Sequence, residues 1–109
     1  MHGLMSWRVR DKLFVWERPL RQSDLRALGD GAPSGEILGA RVEHEDAKLA
    51  LIESDPDVYF TIPHFDGYAA ILVLLERIGV EELEELTVEA WLVRAPKRLA
   101  ADYLASRGD

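Results

Sequence analysis

The order of its apolar segments is the feature that most limits what this chain can fold into. Short apolar runs typical of strands are joined by brief links, and two longer amphipathic helical patterns follow them. The predicted strands are residues 6–10, 12–18, 37–42, 58–61 and 69–76, and the predicted helices are residues 45–54, 80–94 and 97–106. Hairpin-type links and few crossovers favour an antiparallel or mixed sheet of about five strands with helices on one face, an α+β fold.

The first hairpin allows a prediction of register. With residues 11–12 as its loop, Trp7 pairs with Trp16. The same register places Val9 opposite Phe14, and both pairs lie on one face. The second strand is apolar on both faces for most of its length, which predicts an interior position in the sheet.

A long polar connection, residues 19–35, follows the hairpin. Serine is a favoured N-cap residue, so Ser23 is predicted to cap a short helix that ends at Leu28. Connections of this length are often functional or mobile. A solvated spacer is the simpler interpretation.

The two C-terminal helices are predicted to pack on the sheet through apolar stripes. The predicted inner residues are Leu83, Leu86, Ala90 and Val93 in the first helix, and Leu99, Ala100, Tyr103 and Leu104 in the second. The glutamates between residues 81 and 89 form the predicted solvated side. His44, just before the helix at residues 45–54, is assigned to its capping region.

Charge is distributed unevenly along the chain. The net charge is −7, with +2 in residues 1–42 and −9 in residues 43–109. A negative total discourages non-specific binding to nucleic acid, because phosphate contacts need a positive face. The candidate DNA contacts in the N-terminal third are Arg8, Arg10, Lys12, Arg18, Arg21 and Arg26. A second basic group, Arg94, Lys97 and Arg98, flanks the start of the last helix.

The sequence carries no pattern typical of an active site. It contains no cysteine, which excludes disulfides and thiolate metal sites and favours a reducing, cytoplasmic location. The apolar runs fall far short of the ~20 residues that a membrane span needs. His64 and Asp66 could form an acid–base pair or bind a metal, but a pair without a third partner is a weak signal. We therefore expect no enzymatic activity, no cofactor and no metal.

Two motifs, Pro63-His-Phe-Asp-Gly-Tyr68 and Ala95-Pro-Lys-Arg98, together resemble the MmcQ/YjbR-like family. The resemblance covers residues 6–106, and the length is typical of a single domain over residues 1–109. It implies a fold like that of CyaY and frataxin and no accepted enzymatic activity. It also implies a proposed DNA-binding role for two hairpin wings, here the turn at residues 10–12 and either residues 19–35 or the loop at residues 64–68.

Other functions stay open beside DNA binding. A protein-interaction or small-ligand module could use the loop Pro63–Tyr68, with His64, Phe65, Asp66 and Tyr68 as contacts. Iron handling, by analogy with frataxin, is less favoured because a fold does not carry a function. The family usually has a helix ahead of the first strand, where this chain has five residues. The uncovered apolar patch that results predicts a homodimer.

Overall fold

The computed structural model describes residues 5–107, which form one five-stranded antiparallel sheet and four α-helices. The strands are β1 (Ser6–Val9), β2 (Lys12–Glu17), β3 (Ile37–Arg41), β4 (Tyr59–Phe60) and β5 (Ala70–Leu74). The helices are α1 (Gln22–Leu28), α2 (Glu45–Ser54), α3 (Val80–Arg94) and α4 (Lys97–Arg107). The strand order is β1-β2-β3-β5-β4, so β2 is interior as predicted. The α+β class is confirmed, and the sheet is antiparallel throughout.

The hairpin between β1 and β2 turns one residue earlier than predicted. Its turn residues are Arg10 and Asp11, whose φ angles are 49° and 67°. Two successive positive φ angles are typical of a type I′ turn, whose twist matches that of the flanking strands. The side chain of Arg8 supports the turn, since its Nη1 donates a hydrogen bond to the carbonyl oxygen of Asp11 at 3.1 Å.

The predicted register of this hairpin is wrong for the same reason. Trp7 pairs with Val15 rather than with Trp16, and Val9 pairs with Lys12. A register shift between Trp7 and the next residue adds a local irregularity. The predicted pairing placed Trp16 on the same face of the sheet as Trp7. In the structure, Trp16 consequently packs on the opposite face.

Helix α3 packs against one face of the sheet. Leu86 and Ala90 are buried in the same core cluster as Phe14 of β2, and Leu83 packs against that cluster as predicted. Helix α4 adds Leu99 to the cluster, and its Tyr103 ring lies 5.5 Å from the ring of Trp91. The prediction that Leu104 is a core residue is wrong. Its side chain is 55% exposed and lines an open groove together with Tyr103 and residues of α3 such as Glu81 and Val88.

The other face of the sheet is covered too, although helices were predicted on one face only. Its core cluster contains residues from β3 and β5 together with Phe65, and Leu20 and Leu28 pack against it. Residues 19–35 are therefore not only a solvated spacer, because they help to cover this face of the sheet. Gly39 allows this packing, since a Cβ atom there would lie 2.5 Å from Cε2 of Trp16.

The helix N-termini show which capping predictions hold. In α1 the cap comes from Asp24 rather than Ser23, because its Oδ2 accepts the backbone N–H of Arg21 at 2.9 Å. In α2 the Nδ1 atom of His44 accepts the backbone N–H of Ala47 at 3.1 Å, as its assignment to the cap predicted. Within residues 5–107, the helices lack the combination of length and apolar content needed to cross a bilayer.

Candidate functional site

The loop Pro63–Tyr68 is held by a buried lysine, Lys48 of α2. The Lys48 residue is 2% exposed, and its Nζ donates hydrogen bonds to the carbonyl oxygens of Phe65 at 2.8 Å and Tyr68 at 2.9 Å. The carboxylate of Glu45 lies 2.7 Å from the same Nζ. A buried ammonium group is tolerated when it is paired and hydrogen-bonded, and three oxygens meet it here. The shape of the loop thus depends on a residue that the sequence analysis did not single out.

The four loop residues predicted to contact a ligand are not equally accessible. Phe65 is buried, and its ring meets the ring of Tyr68 edge to face at 5.5 Å. His64, Asp66 and Tyr68 are exposed. The guanidinium group of Arg41 lies 4.8 Å from the centre of the Tyr68 ring and fixes its orientation. The use of this loop by a ligand or a partner protein stays a prediction.

In the part of the chain that the structure describes, no group of three or more histidine, aspartate or glutamate side chains is placed to hold a metal ion. Within residues 5–107, His64 and Asp66 gain no third metal-ligating partner. The structure therefore adds no support for iron handling.

Arg18, predicted as a DNA contact, lies in the interior instead. Its Nη2 is 3.1 Å from Oδ2 of Asp24, and the two side chains are 7% and 3% exposed. The guanidinium group also stacks on the ring of Phe65 at 5.6 Å. Burial alone would raise the pKa of Asp24, but the backbone N–H of Arg21 and the charge of Arg18 lower it below its ordinary value. Arg18 is thus committed to the fold and is not part of a surface for DNA.

The other predicted DNA contacts are exposed but fall into two separate groups. Arg8, Arg10 and Lys12 lie at the turn of the hairpin. Arg21 is the N-cap residue of α1 and Arg26 lies within that helix, which follows the other end of β2. A strand of six residues separates its ends by roughly 17 Å. These five side chains therefore do not form one surface.

The direction of helix α3 relates the hairpin turn to a third group of basic residues, Arg94, Lys97 and Arg98. Leu83, near the start of α3, lines one groove together with Glu17 at the end of β2. Trp91, near the end of α3, lines another groove together with Phe14 near the start of β2. Helix α3 therefore runs antiparallel to β2 and ends where the hairpin turns.

This direction indicates that basic residues from two distant parts of the sequence lie toward the same end of the sheet. We call this surface the basic end, and it comprises Arg8, Arg10, Lys12, Arg94, Lys97 and Arg98. Ala95, within the α3–α4 junction, packs against the same core cluster as Val9 of the hairpin. All members except Arg94 are exposed. The sequence showed the two groups, but their proximity follows only from the packing of α3.

An apolar groove lies beside the N-terminal strand, where the sequence predicts an uncovered patch. It encloses about 410 Å³, and its lining includes Trp7, Phe14, Leu38 and Leu83. Trp7 is 41% exposed.

Self-association through this groove stays a prediction. We expect a concentration-dependent dimer by light scattering, weakened in Trp7→Glu, because association would bury the indole. A monomer at high protein concentration would contradict it.

Comparison with known proteins covers the first of the two motifs that carry the resemblance, residues 63–68, whereas residues 95–98 lie just beyond the family match. The family model described as YjbR matches residues 2–93. Three relatives, one from Mycobacterium bovis and two from strains of Mycobacterium tuberculosis, are named as uncharacterised proteins. Each is 57% identical over 106 residues, which cover 94% of this chain and 82% of the relative. No solved structure matches the chain. Since the family match spans most of its length, the chain belongs to the YjbR family.

Proposed function

We propose that this chain is a non-enzymatic binding domain whose basic end contacts the phosphate backbone of DNA. The observation that carries the proposal is the direction of α3, which runs antiparallel to β2 and directs the α3–α4 junction toward the end of the sheet where the hairpin turns. Six basic side chains are thereby gathered at one end of the sheet, with Asp11 as the acidic residue within the turn. Arginine is well suited to such contacts, because its planar guanidinium group binds phosphate through two parallel hydrogen bonds.

Arg94 has unused hydrogen-bonding capacity at this end. It is partly buried, and its Nε has no hydrogen-bond partner in the described part of the chain. A partly desolvated guanidinium group interacts with an anion more strongly than one in bulk water does. Arg94 would therefore support the exposed cations on either side of it.

The negative net charge of the chain is compatible with this proposal. The glutamates of α3 lie at residues 81–89, whereas its basic residue, Arg94, is at the end of the helix. Exposed charges farther apart than about 8 Å are largely screened at physiological ionic strength. A phosphate at the basic end is therefore governed by the local cations more than by the total charge.

Contacts of this kind position a protein on DNA without reading its sequence. We therefore expect weak sequence preference and a steep dependence on salt. With about six phosphate contacts, the affinity should fall about 10³-fold between 50 and 200 mM salt.

The double variant Arg10→Glu/Lys12→Glu tests the proposal directly. Both side chains are exposed at the turn, so the variant should fold normally. In a fluorescence titration against a short duplex, the slope of log affinity against log salt should decrease by about two, because two phosphate contacts are lost. At 50 mM salt the affinity should fall more than about tenfold.

Arg26→Glu/Arg77→Glu is the matched control, since it makes the same change of charge at two exposed positions that are not part of the basic end. It should keep the salt slope of the wild-type protein. Equal losses in the two variants would mean that only total charge matters. A wild-type protein that fails to bind duplex DNA even at 20 mM salt would remove the proposal.

A further inference from the structure

A second surface, which the proposed DNA contact does not use, is an apolar groove between α2 and α3. It encloses about 400 Å³. Its floor and walls include Val42, Ala47, Leu51, Leu86 and Val93. The small side chains of Ala47 and Ala50 on α2 leave the groove open along its length. We call this surface the α2–α3 groove.

Carboxylates surround this apolar groove. Glu82, Glu85 and Glu89 line it from α3, and their spacing of three and four residues places them on one side of the helix. Glu43 lines it from the segment that precedes α2. The carboxylates of Glu43, Glu85 and Glu89 make no hydrogen bond or ion pair within the described residues. Three exposed negative charges thus face an apolar groove without a cation to balance them.

The fourth carboxylate, that of Glu82, is fixed in place. The Oη atom of Tyr59 donates a hydrogen bond to its Oε2 at 2.5 Å. Burial raises the pKa of Tyr59, and the neighbouring Glu82 carboxylate raises it further. The hydroxyl group therefore remains a proton donor at neutral pH and holds the Glu82 carboxylate at a defined position.

Arg41 also lines the groove, but its cationic group is engaged elsewhere. Its Nε donates a hydrogen bond to the carbonyl oxygen of Ala69 at 3.0 Å, and its guanidinium group stacks on Tyr68. It makes no ion pair with a groove glutamate in the described residues. The positive charge that would complement the groove must therefore come from another molecule.

We infer that the α2–α3 groove binds a basic amphipathic segment of a partner protein. Two or three apolar side chains of that segment enter the groove, and its lysines or arginines pair with Glu43, Glu85 and Glu89. Nucleic acids and acidic segments are excluded by the same carboxylates. Glu85 and Glu89 are four residues apart, which is about 6 Å along a helix. Cations one turn apart on a bound helix have the same separation.

The probe for this inference is a fluorescein-labelled synthetic helix of 14 residues with leucines on one face and lysines on the other. Glu85→Gln/Glu89→Gln removes two charges from the groove and keeps the shape of the side chains. We expect fluorescence anisotropy to show binding about five- to tenfold weaker than to the wild-type protein, because two exposed ion pairs are lost. Ala50→Trp, at an exposed position of α2, should weaken binding as well by filling the groove.

Glu81→Gln/Glu84→Gln makes the same change of charge on α3 outside the groove and should leave binding unchanged. Equal weakening by this control, no effect of Ala50→Trp, or equal binding of a peptide with glutamates in place of the lysines would overturn the inference. Arg10→Glu/Lys12→Glu should retain peptide binding. The groove and the DNA proposal can therefore fail independently.

Discussion

Replacing Asp24 with alanine is expected to lower the free energy of unfolding by about 3–5 kcal/mol, because it leaves a buried cation without its counter-ion. The guanidinium group of Arg18 lies against Phe65 and is almost as buried as the carboxylate that it meets. The substitution also removes the acceptor for the backbone N–H of Arg21, which caps α1. Urea denaturation at pH 7, followed by circular dichroism, measures the loss.

The pH dependence of this loss has a defined sign. The pKa of Asp24 is lowered in the folded state, so the ion pair stabilises the protein fully above the unfolded pKa of about 3.9. Its contribution disappears as the pH falls through the folded pKa, which lies lower. The difference in stability between the wild-type protein and Asp24→Ala should therefore be constant near neutral pH and shrink below about pH 4.

Ser23→Ala is the control for the ion pair, because Ser23 is exposed at the same turn of α1. Its effect should stay within about 0.5 kcal/mol. Arg18→Met/Asp24→Leu, which removes both charges, should recover part of the stability lost in Asp24→Ala. A loss below about 1 kcal/mol in Asp24→Ala would show that Arg18 finds water or another acceptor.

The sequence predicts the elements of this fold better than their contacts. The bounds of α2 and α3 agree with the prediction, since each has acidic residues in its first turn and a clear end signal. Those signals act over a few residues and are readable locally. The observed strands are shorter than the predicted ones, because pairing at the end of a strand depends on the neighbouring strand. For instance, β4 is Tyr59–Phe60 rather than residues 58–61.

The register of the hairpin could not be predicted from apolar alternation alone. It depends on which two residues take positive φ, and Arg10 and Asp11 carry no glycine signal for that conformation. The prediction from alternation therefore placed the turn one residue too late. A single-residue change of this kind moves a side chain to the other face of a sheet, as the position of Trp16 shows.

Charged side chains were the least predictable part of the candidate site. In the sequence, Arg18 and Arg21 are equivalent basic residues of the same region. Burial of the first and exposure of the second follow from the position of Asp24 and Phe65 in space. The convergence of the hairpin and the α3–α4 junction likewise requires the direction of α3 across the sheet, which local patterns do not encode.

Lys48→Met is the second substitution for which we expect a large effect. Methionine preserves the length of the buried side chain, but the carbonyl oxygens of Phe65 and Tyr68 lose their donor. An unsatisfied buried acceptor costs about 1–3 kcal/mol, so the free energy of unfolding should fall by about 2–4 kcal/mol. Lys97→Met makes the same chemical change at an exposed position and should alter stability by less than about 0.5 kcal/mol.

Hydrogen exchange separates a local effect of Lys48→Met from a general one. The backbone N–H of Tyr68 donates to the carbonyl oxygen of Phe65 at 2.9 Å within the loop that Lys48 holds. Its exchange should accelerate more than that of Leu72, a buried residue of the interior strand β5. If both amides accelerated equally, Lys48 would stabilise the sheet as a whole. Because the loop carries His64, Asp66 and Tyr68 at its surface, a selective effect would mean that α2 determines how these side chains are presented.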